Sequence, residues 1–238
     1  ATGLAAGHRI SLGHASLRVP NRPDRFLVKG RGYRMDALPA MRPDDMILCD
    51  LEGNLIEGPP GATQCFEVKI HSCIYKLNPE VNAVVHAHPT FTVLMGVVGR
   101  RIKPMAQEGV KLVAEVLPVY PHTRTVQTDE EGMDHASYLG KHKAMLLQGH
   151  GATTTGADLE EAVMNMLHLE EQAKMNYYAM SALGPDYPCI PEALIAEMDN
   201  REPLSELPHF REPIARARGT PRVGGVWQYY TQLVSQGI

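Results

Sequence analysis

The sequence predicts an α/β protein, and three observations support this prediction. Short apolar runs bounded by turns are typical of strands, residues 63–77 repeat apolar side chains with helical periodicity, and residues 158–183 form a long helical pattern with acids in its first turn. The chain has 238 residues, of which 44% are hydrophobic and 21% charged. It can therefore bury a substantial core, as one large domain or as one domain with an extension.

The first part of the chain is predicted to form strands separated by turns. Residues 8–18 indicate a turn entering a strand, and a strand at residues 25–30 follows the turn at residues 19–24. Residues 46–58 have the pattern of a β-hairpin. Pro59, Pro60 and Gly61 then break the chain before the first helix.

That helix is predicted over residues 63–77, with Thr63 as its N-cap. Its apolar stripe consists of Phe66, Ile70, Cys73, Ile74 and Leu77. Glu67, His71 and Tyr75 follow one another at intervals of four residues along the flank of this stripe. An acid at such a position either contacts solvent or faces a cleft, and the spacing alone favours solvent exposure for Glu67.

The second half alternates predicted helices and extended segments. The predicted helices cover residues 90–98, 134–139 and 158–183, the extended segments residues 103–105 and 116–120, and a buried strand residues 144–148. On the last of these helices the methionines are expected to be core residues and His168 to be structural.

From residue 184 onward the sequence becomes rich in Pro and Arg, and only residues 191–198 have a clear helical pattern. One interpretation is an extension that packs on the core or on a neighbouring subunit. The other is that an arginine of this segment binds a carboxylate, since guanidinium pairs bidentately with carboxylates. The candidates for that role are Arg211, Arg216, Arg218 and Arg222.

Charge, hydropathy and cysteine usage exclude several classes of function. The net charge of -4 and the pI near 6.3 do not indicate nucleic-acid binding, and no apolar run approaches the roughly 20 residues needed to cross a bilayer. Four scattered cysteines are typical of a reducing compartment, so we expect a cytoplasmic protein. The first four residues resemble the end of a helix rather than a signal peptide, and we expect the natural chain to begin earlier.

Two stretches contain candidate metal ligands. His86 and His88 follow a short apolar run, and alternation along a strand places residues i and i+2 on one face. Two neutral imidazoles directed at one point are half of a transition-metal site, although two surface histidines at a strand end are the simpler alternative. His150 lies between two glycines after the strand at residues 144–148, where a turn histidine is an equally good interpretation.

The order Glu67…His86-x-His88…His150 resembles the class II (metal-dependent) aldolase/adducin superfamily. The resemblance extends over residues 7–183 and also includes the motifs at residues 13–18, 50–54, 67–75, 82–89 and 147–151. It implies a catalytic domain over residues 1–183 and an extension over residues 184–238. The implied fold has α/β/α layers, with a central, mainly antiparallel sheet flanked by helices.

The resemblance also implies a site and an assembly. His86, His88 and His150 would bind one divalent metal ion per subunit (Zn, Mn, Co or Fe), with Glu67 as the acid/base or a fourth ligand. Three imidazoles independently favour Zn²⁺ or a similar ion with an open coordination position. Members of this superfamily usually form cyclic tetramers, so we expect a homotetramer with active sites between subunits.

The departures from the sugar-phosphate enzymes of this superfamily concern phosphate binding. Those enzymes use an early Gly-Asn pair and a Ser-Ser pair before the acid, whereas here His14 replaces the Asn, and Cys65 and Phe66 precede Glu67. Because a phosphate dianion requires several donors, a phosphorylated sugar is disfavoured. The sequence instead resembles the branch of decarboxylases that act on 3-hydroxy-2-methylpyridine-4,5-dicarboxylate and 3,4-dihydroxyphthalate.

We therefore predict a lyase that decarboxylates a hydroxylated benzoic, phthalic or pyridine carboxylic acid without oxidation. Glu67, with a raised pKa, would protonate the carbon that loses CO₂. The predicted catalytic residues are Glu67, His14 and Arg18, and the predicted substrate-binding residues are His71, Gln107, Glu108, Arg31 and Tyr229. The alternatives are an aldolase acting on a non-phosphorylated hydroxy-keto acid and an adducin-like structural domain without catalysis.

Overall fold

The computed structural model of the protein describes residues 4–5, 7–216 and 225–236. Eight strands form a single sheet with the spatial order β4-β3-β2-β1-β5-β8-β7-β6. The strands are β1 (His14–Val19), β2 (Arg22–Lys29), β3 (Met46–Asp50), β4 (Leu55–Glu57), β5 (Ala83–Ala87), β6 (Val119–Tyr120), β7 (Ala144–Leu147) and β8 (Gly151–Gly156).

Eight α-helices accompany the sheet in the described ranges of the chain. They are α1 (Val68–Leu77), α2 (Thr90–Val98), α3 (Val110–Val113), α4 (Asp129–Leu139), α5 (Leu159–Leu183), α6 (Glu192–Asp199), α7 (Pro208–Arg216) and α8 (Val226–Gln236). None of these helices is both long enough and apolar enough to cross a membrane.

Every neighbouring pair of strands is antiparallel except β6 and β7, which run parallel. The sheet is therefore mainly antiparallel, as the family resemblance implied. Consecutive residues of a strand face opposite sides of the sheet. On β5, Val84 packs with α1 and α4, whereas Val85 packs with α2 and α5. Helices on both faces bury the central strands, which gives the expected α/β/α layers.

Several local predictions are confirmed. Residues 46–58 form a hairpin from β3 and β4, residues 90–98 form α2, and Asp158 caps the N-terminus of α5 by accepting a hydrogen bond from the backbone of Glu161. The four cysteines are free thiols. In these segments local pattern and tertiary packing favour the same conformation, so the pattern alone was sufficient.

Other boundaries were wrong for identifiable reasons. The first helix begins at Val68 rather than near Thr63, because Thr63 forms a backbone bridge with Arg31. Helix α4 begins five residues before the predicted start, where Thr128 and Glu131 form a capping box. Strand β8 and helices α3, α7 and α8 were not predicted. The strand is Gly- and Thr-rich and fully buried, so it shows no alternation of apolar and polar residues.

The C-terminal segment contacts the core at a few defined points. Ile190 donates a backbone hydrogen bond to Pro104, and Lys103 donates to the carbonyl of Tyr187. The predicted helix at residues 191–198 is α6. Arg218, Arg222 and most of the predicted helix end at residues 1–4 lie outside the described residues. A division of the chain at residue 183 stays a prediction.

Candidate functional site

His86 and His88 lie at the end of β5, in the interior of the sheet. His86 is opposite His14 on β1 and Thr153 on β8, so its side chain enters the layer of α1 and α4. The Nε2 atoms of His86 and His88 are 3.0 Å apart. The two imidazoles therefore converge on one point, as the i, i+2 spacing predicted.

His150 joins them from the turn between β7 and β8. Its ring centroid lies 4.6 Å from that of His88 and 5.0 Å from that of His86. Gly149 has a φ of 68°, and a Cβ on Gly151 would lie 2.4 Å from the carbonyl oxygen of Ala87. Only glycine allows this close approach, which brings the His150 turn against the end of β5.

Glu67 is buried at the centre of the histidine cluster. The carboxylate lies 3.5 Å from His86 Nε2, 3.6 Å from His150 Nε2 and 3.7 Å from His14 Nε2. The backbone N–H of Val126 donates a hydrogen bond of 3.1 Å to Glu67 Oε1. The prediction that Glu67 is solvent-exposed is wrong: only 6% of the residue is exposed. It precedes α1 as its N-cap residue, so the helical periodicity did not apply to it.

The protonation states follow from burial and neighbouring charges. Burial lowers the pKa of His86 well below its usual value, and burial together with the charge of His150 lowers the pKa of His88 to about 4. Both imidazoles are therefore neutral at pH 7. Burial alone would raise the pKa of Glu67, but the hydrogen bond with His14, the charges of His150 and His14 and the Val126 N–H outweigh it, and the pKa is lowered. The predicted raised pKa of Glu67 is wrong, because its neighbours stabilise the carboxylate.

His14 contacts the cluster from β1 and is held by a buried polar chain. Its ring stacks on that of His86, and its Nδ1 lies 2.6 Å from His71 Nε2. His71 Nδ1 is in turn 2.6 Å from Ser16 Oγ, which lies 2.7 Å from the hydroxyl of Tyr75. His71 is fully buried behind His14, so the predicted direct contact between His71 and a substrate is not supported. Its contacts instead fix the orientation of His14.

The four converging side chains fit a divalent cation. One nitrogen or oxygen atom from each of Glu67, His86, His88 and His150 lies within 4.8 Å of the corresponding atoms of the others. Two ligand nitrogens bound to one tetrahedral zinc ion are separated by about 3.3 Å, which is close to the separation of His86 Nε2 and His88 Nε2. Neutral imidazole with carboxylate is a donor set that Zn²⁺ and its neighbours in the first transition row accept.

Thr153 connects this cluster to a further histidine. Its hydroxyl lies 3.3 Å from His86 Nδ1 and 3.2 Å from His135 Nε2. If His86 uses Nε2 as a ligand atom, its Nδ1 carries the proton and donates to Thr153. The hydroxyl then donates to His135, whose pKa burial lowers to about 4. Thr153 therefore selects the tautomer of His86 that leaves Nε2 free to bind a cation.

The substitution Thr153→Val is expected to weaken Zn²⁺ binding by about 10- to 100-fold, because the buried N–H of His86 loses its acceptor. Chelator competition with the purified protein measures this affinity without an activity assay. Thr154→Val is the matched control, since its hydroxyl donates to the carbonyl of Ala162 and does not contact a histidine. Equal affinities of the two variants would exclude the role assigned to Thr153.

A cavity of about 200 Å³ opens beside the cluster. An engineered apolar cavity of about 150 Å³ holds benzene, so this space is sufficient for a single aromatic ring. Five of its lining residues were predicted as site residues: His14, Arg31, Glu67, His88 and His150. Arg31 lies with its guanidinium carbon 4.4 Å from the centre of the Phe66 ring.

Arg18 does not reach this cavity, and a catalytic role for it is not supported. It lies four residues after His14 on β1, about 13 Å along the strand. Its guanidinium donates hydrogen bonds to the carbonyls of Pro23, Tyr75 and Val81. The sequence could not show that backbone carbonyls already use the donors of Arg18.

Gln107, Glu108 and Tyr229 also lie elsewhere in the subunit. The segment before α3 packs on α5, where Gln172 donates to the Glu108 carbonyl, and Gln107 lines a separate cavity. Tyr229 is 61% exposed on α8. Within the described part of one chain, none of the three lines the cavity beside Glu67. Arg211 and Arg216 are exposed on α7 and pair with Glu206 and Glu212.

Two groups of residues around the site were not predicted from the sequence. Thr153 and His135 lie in or beside the cluster, and Lys29 lines the cavity. Thr153 belongs to the strand that was not predicted. The sequence signal for Lys29 is weak, since a lysine at the end of an apolar strand is usually solvated. Only the fold shows that Lys29 is 4% exposed and lines the cavity.

Fold and site together define a class of protein: a three-layer α/β enzyme with a His₃-carboxylate cluster suited to a divalent cation. The family described as "Class II Aldolase and Adducin N-terminal domain" matches residues 7–177. The chain therefore belongs to the class II aldolase and adducin family.

The chain is similar in sequence to two proteins named as decarboxylases. The chain is 30% identical over 224 residues to a 3,4-dihydroxyphthalate decarboxylase of Terrabacter sp. (strain DBF63), covering 91% of each chain. It is 31% identical over 205 residues to the enzyme of the same name from Arthrobacter keyseri, covering 82% of this chain and 79% of the relative.

Among solved structures, an L-fuculose 1-phosphate aldolase from Glaciozyma antarctica PI12 superposes with a TM-score of 0.67 at 27% identity, over 79% of this chain and 71% of that chain. Decarboxylases and aldolases of this kind cleave carbon–carbon bonds without oxidation or hydrolysis. The protein is accordingly a lyase.

Proposed function

We propose that the protein is a metal-dependent decarboxylase of a hydroxylated aromatic carboxylic acid. The observation that supports this most directly is the combination of the Glu67 and three-histidine cluster with a ring-sized cavity lined by Lys29 and Arg31. The relatives named 3,4-dihydroxyphthalate decarboxylase support the same reaction class.

In this proposal His86, His88 and His150 hold one divalent ion next to the cavity. When bound, that ion supplies a Lewis acid that favours negative charge on substrate oxygens. Zn²⁺, Mn²⁺, Co²⁺ and Fe²⁺ are all compatible with the imidazole donors. Thr153 and His14 keep the cluster oriented through the hydrogen bond to His86 and the ring stack described above.

Glu67 then acts first as a base and afterwards as an acid. Because its neighbours lower the pKa of Glu67, the side chain is a carboxylate at neutral pH. The carboxylate accepts the proton of the substrate hydroxyl. As the bond between the ring and the carboxyl carbon breaks and CO₂ leaves, Glu67 donates this proton to the ring carbon. The deprotonated substrate oxygen then takes a proton from solvent, which restores the hydroxyl group of the product.

An aldolase acting on a non-phosphorylated hydroxy-keto acid is the second candidate. Retro-aldol cleavage also generates negative charge beside an oxygen, so the same cluster suits both reactions. The solved structure of an L-fuculose 1-phosphate aldolase, at 27% identity, supports this alternative. A non-catalytic adducin-like role requires none of the four cluster residues, and all four are present here.

Two assays run side by side test the proposal. The zinc-loaded protein is expected to release CO₂ from at least one member of a panel of hydroxybenzoic, dihydroxyphthalic and hydroxypyridine carboxylic acids. It should release no pyruvate from hydroxy-keto acids. Pyruvate release without CO₂ release would favour the aldolase. Neither product, together with absence of bound metal, would favour the structural role. A homotetrameric assembly and a cytoplasmic location stay predictions.

A further inference from the structure

A chain of four polar side chains leads from α1 to the cavity beside the histidine cluster. It runs from Tyr75 through Ser16 and His71 to His14, which lines the cavity. The successive contacts measure 2.7, 2.6 and 2.6 Å, so each side chain is hydrogen-bonded to the next. Because Tyr75, Ser16 and His71 are buried, water does not compete for these bonds.

The hydrogen bonds of this chain must all point the same way, because His71 is neutral. Burial lowers the pKa of His71 well below its usual value, so its ring has one N–H donor and one acceptor nitrogen at pH 7. If Ser16 donates to His71 Nδ1, then His71 Nε2–H donates to His14 Nδ1. In the reverse direction, His14 Nδ1–H donates to His71, and His71 donates to Ser16. The direction therefore decides which nitrogen of His14 carries a proton.

Two observations favour the direction that begins at Tyr75. Its hydroxyl lies 2.7 Å from Ser16 Oγ but 3.4 Å from the carbonyl oxygen of Asn82, so donation to Ser16 gives the shorter bond. At the other end of the chain, His14 Nε2 lies 3.7 Å from Glu67 Oε2. A nitrogen that carries a proton is attracted to this carboxylate, whereas a nitrogen lone pair is repelled by it.

We infer that this buried chain fixes the proton of His14 on Nε2 and makes His14 a hydrogen-bond donor to the substrate. The acceptor is the substrate oxygen that Glu67 deprotonates, so this step rests on the proposed function. His14 Nε2 and Glu67 Oε2 are 3.7 Å apart, and an oxygen about 2.7 Å from the carboxylate can also lie about 2.9 Å from the nitrogen. An N–H that is already oriented then stabilises the negative charge on that oxygen. Tyr75, Ser16 and His71 are positioning residues.

The proton position on His14 is measured directly by NMR of the zinc-loaded protein with ¹⁵N-labelled histidine, in which the two ring nitrogens give separate signals. His14→Gln and His14→Phe each identify the His14 signals by their loss. At neutral pH the proton is expected on Nε2 alone. A proton on Nδ1, alone or together with one on Nε2, overturns the inference. No substrate is needed, so the result is independent of the proposed function.

Ser16→Ala is expected to lower kcat by about 10-fold at nearly unchanged KM, because His71 Nδ1 loses its donor and the two tautomers of His14 mix. Ser16→Thr keeps the hydroxyl on a strand, where β-branched residues fit, and should restore most of the rate. Ser72→Ala is the matched control, since Ser72 is buried and its hydroxyl contacts Cys73 and not a histidine. Equal turnover of Ser16→Ala and Ser72→Ala would exclude the positioning role.

Two substitutions of His14 separate a hydrogen-bond donor from a group that transfers protons. His14→Gln retains an N–H donor that does not titrate, whereas His14→Phe keeps a ring that can stack on His86 but has no donor. Because one oriented donor contributes about 100- to 1,000-fold to kcat, His14→Gln should turn over at least about 10-fold faster than His14→Phe. Equally slow variants would contradict the donor role. If the panel of acids yields no CO₂, the proposed function fails, and the tautomer of His14 still decides whether the chain has the inferred direction.

Discussion

His86→Ala is expected to lose stoichiometric metal binding and to reduce turnover by at least about 100-fold. His86 is the only one of the three histidine ligands proposed here that is fully buried, and it contacts His88, Glu67 and Thr153 at once. Removing an outer-sphere partner of a ligand already costs about 10- to 100-fold in affinity or activity. Losing the ligand itself should cost more.

Elemental analysis of the purified variant and a chelator titration measure the loss of metal. His209→Ala is the control, because His209 is exposed on α7 and remote in sequence from the cluster. Thermal unfolding of the metal-free forms separates ligand loss from misfolding, since a truncated core side chain lowers stability even without metal. A folded His86→Ala protein with one tightly bound ion and unchanged turnover would remove the metal assignment.

The positions of the three histidines could be predicted because each depends on local rules. Alternation along β5 places His86 and His88 on one side, and the glycines around His150 indicate a close backbone approach that the structure confirms. The resemblance of the order Glu67…His86-x-His88…His150 to the family assigns these residues, which are distant in sequence, to one site. Local pattern and family resemblance were together sufficient for the centre of the site.

The environments of the other residues at the site depend on tertiary contacts, which local sequence patterns do not describe. The helical spacing predicts a solvent-exposed Glu67, but α1 begins only after this residue. In the fold, the Val126 N–H and three histidines surround it. Arg18 has the side chain of a carboxylate-binding residue, but backbone carbonyls use its donors. Which partner satisfies a buried polar group is decided by the whole fold, so the sequence could not determine it.

Glu67→Gln is expected to keep its fold and most of its metal affinity but to lose about 100- to 10,000-fold in turnover, the usual range for a general acid–base group. Glutamine has the same shape, and its Oε1 can still accept the hydrogen bond from Val126. It cannot accept the proton of a substrate hydroxyl. The loss should therefore appear in kcat rather than in zinc binding.

The pH dependence of turnover shows whether Glu67 must be a carboxylate, which accepts a proton first, or a protonated acid, which donates one first. Since the pKa of Glu67 is lowered, activity that needs its carboxylate should be complete at neutral pH. It should fall only at acidic pH, as the pH drops through the lowered pKa of Glu67. A ready-protonated acid would give the opposite slope. Glu131→Gln is the matched control, because that carboxylate also accepts backbone N–H groups but belongs to the capping box of α4. If Glu67→Gln and Glu131→Gln turn over equally fast, Glu67 holds the cluster together and transfers no proton.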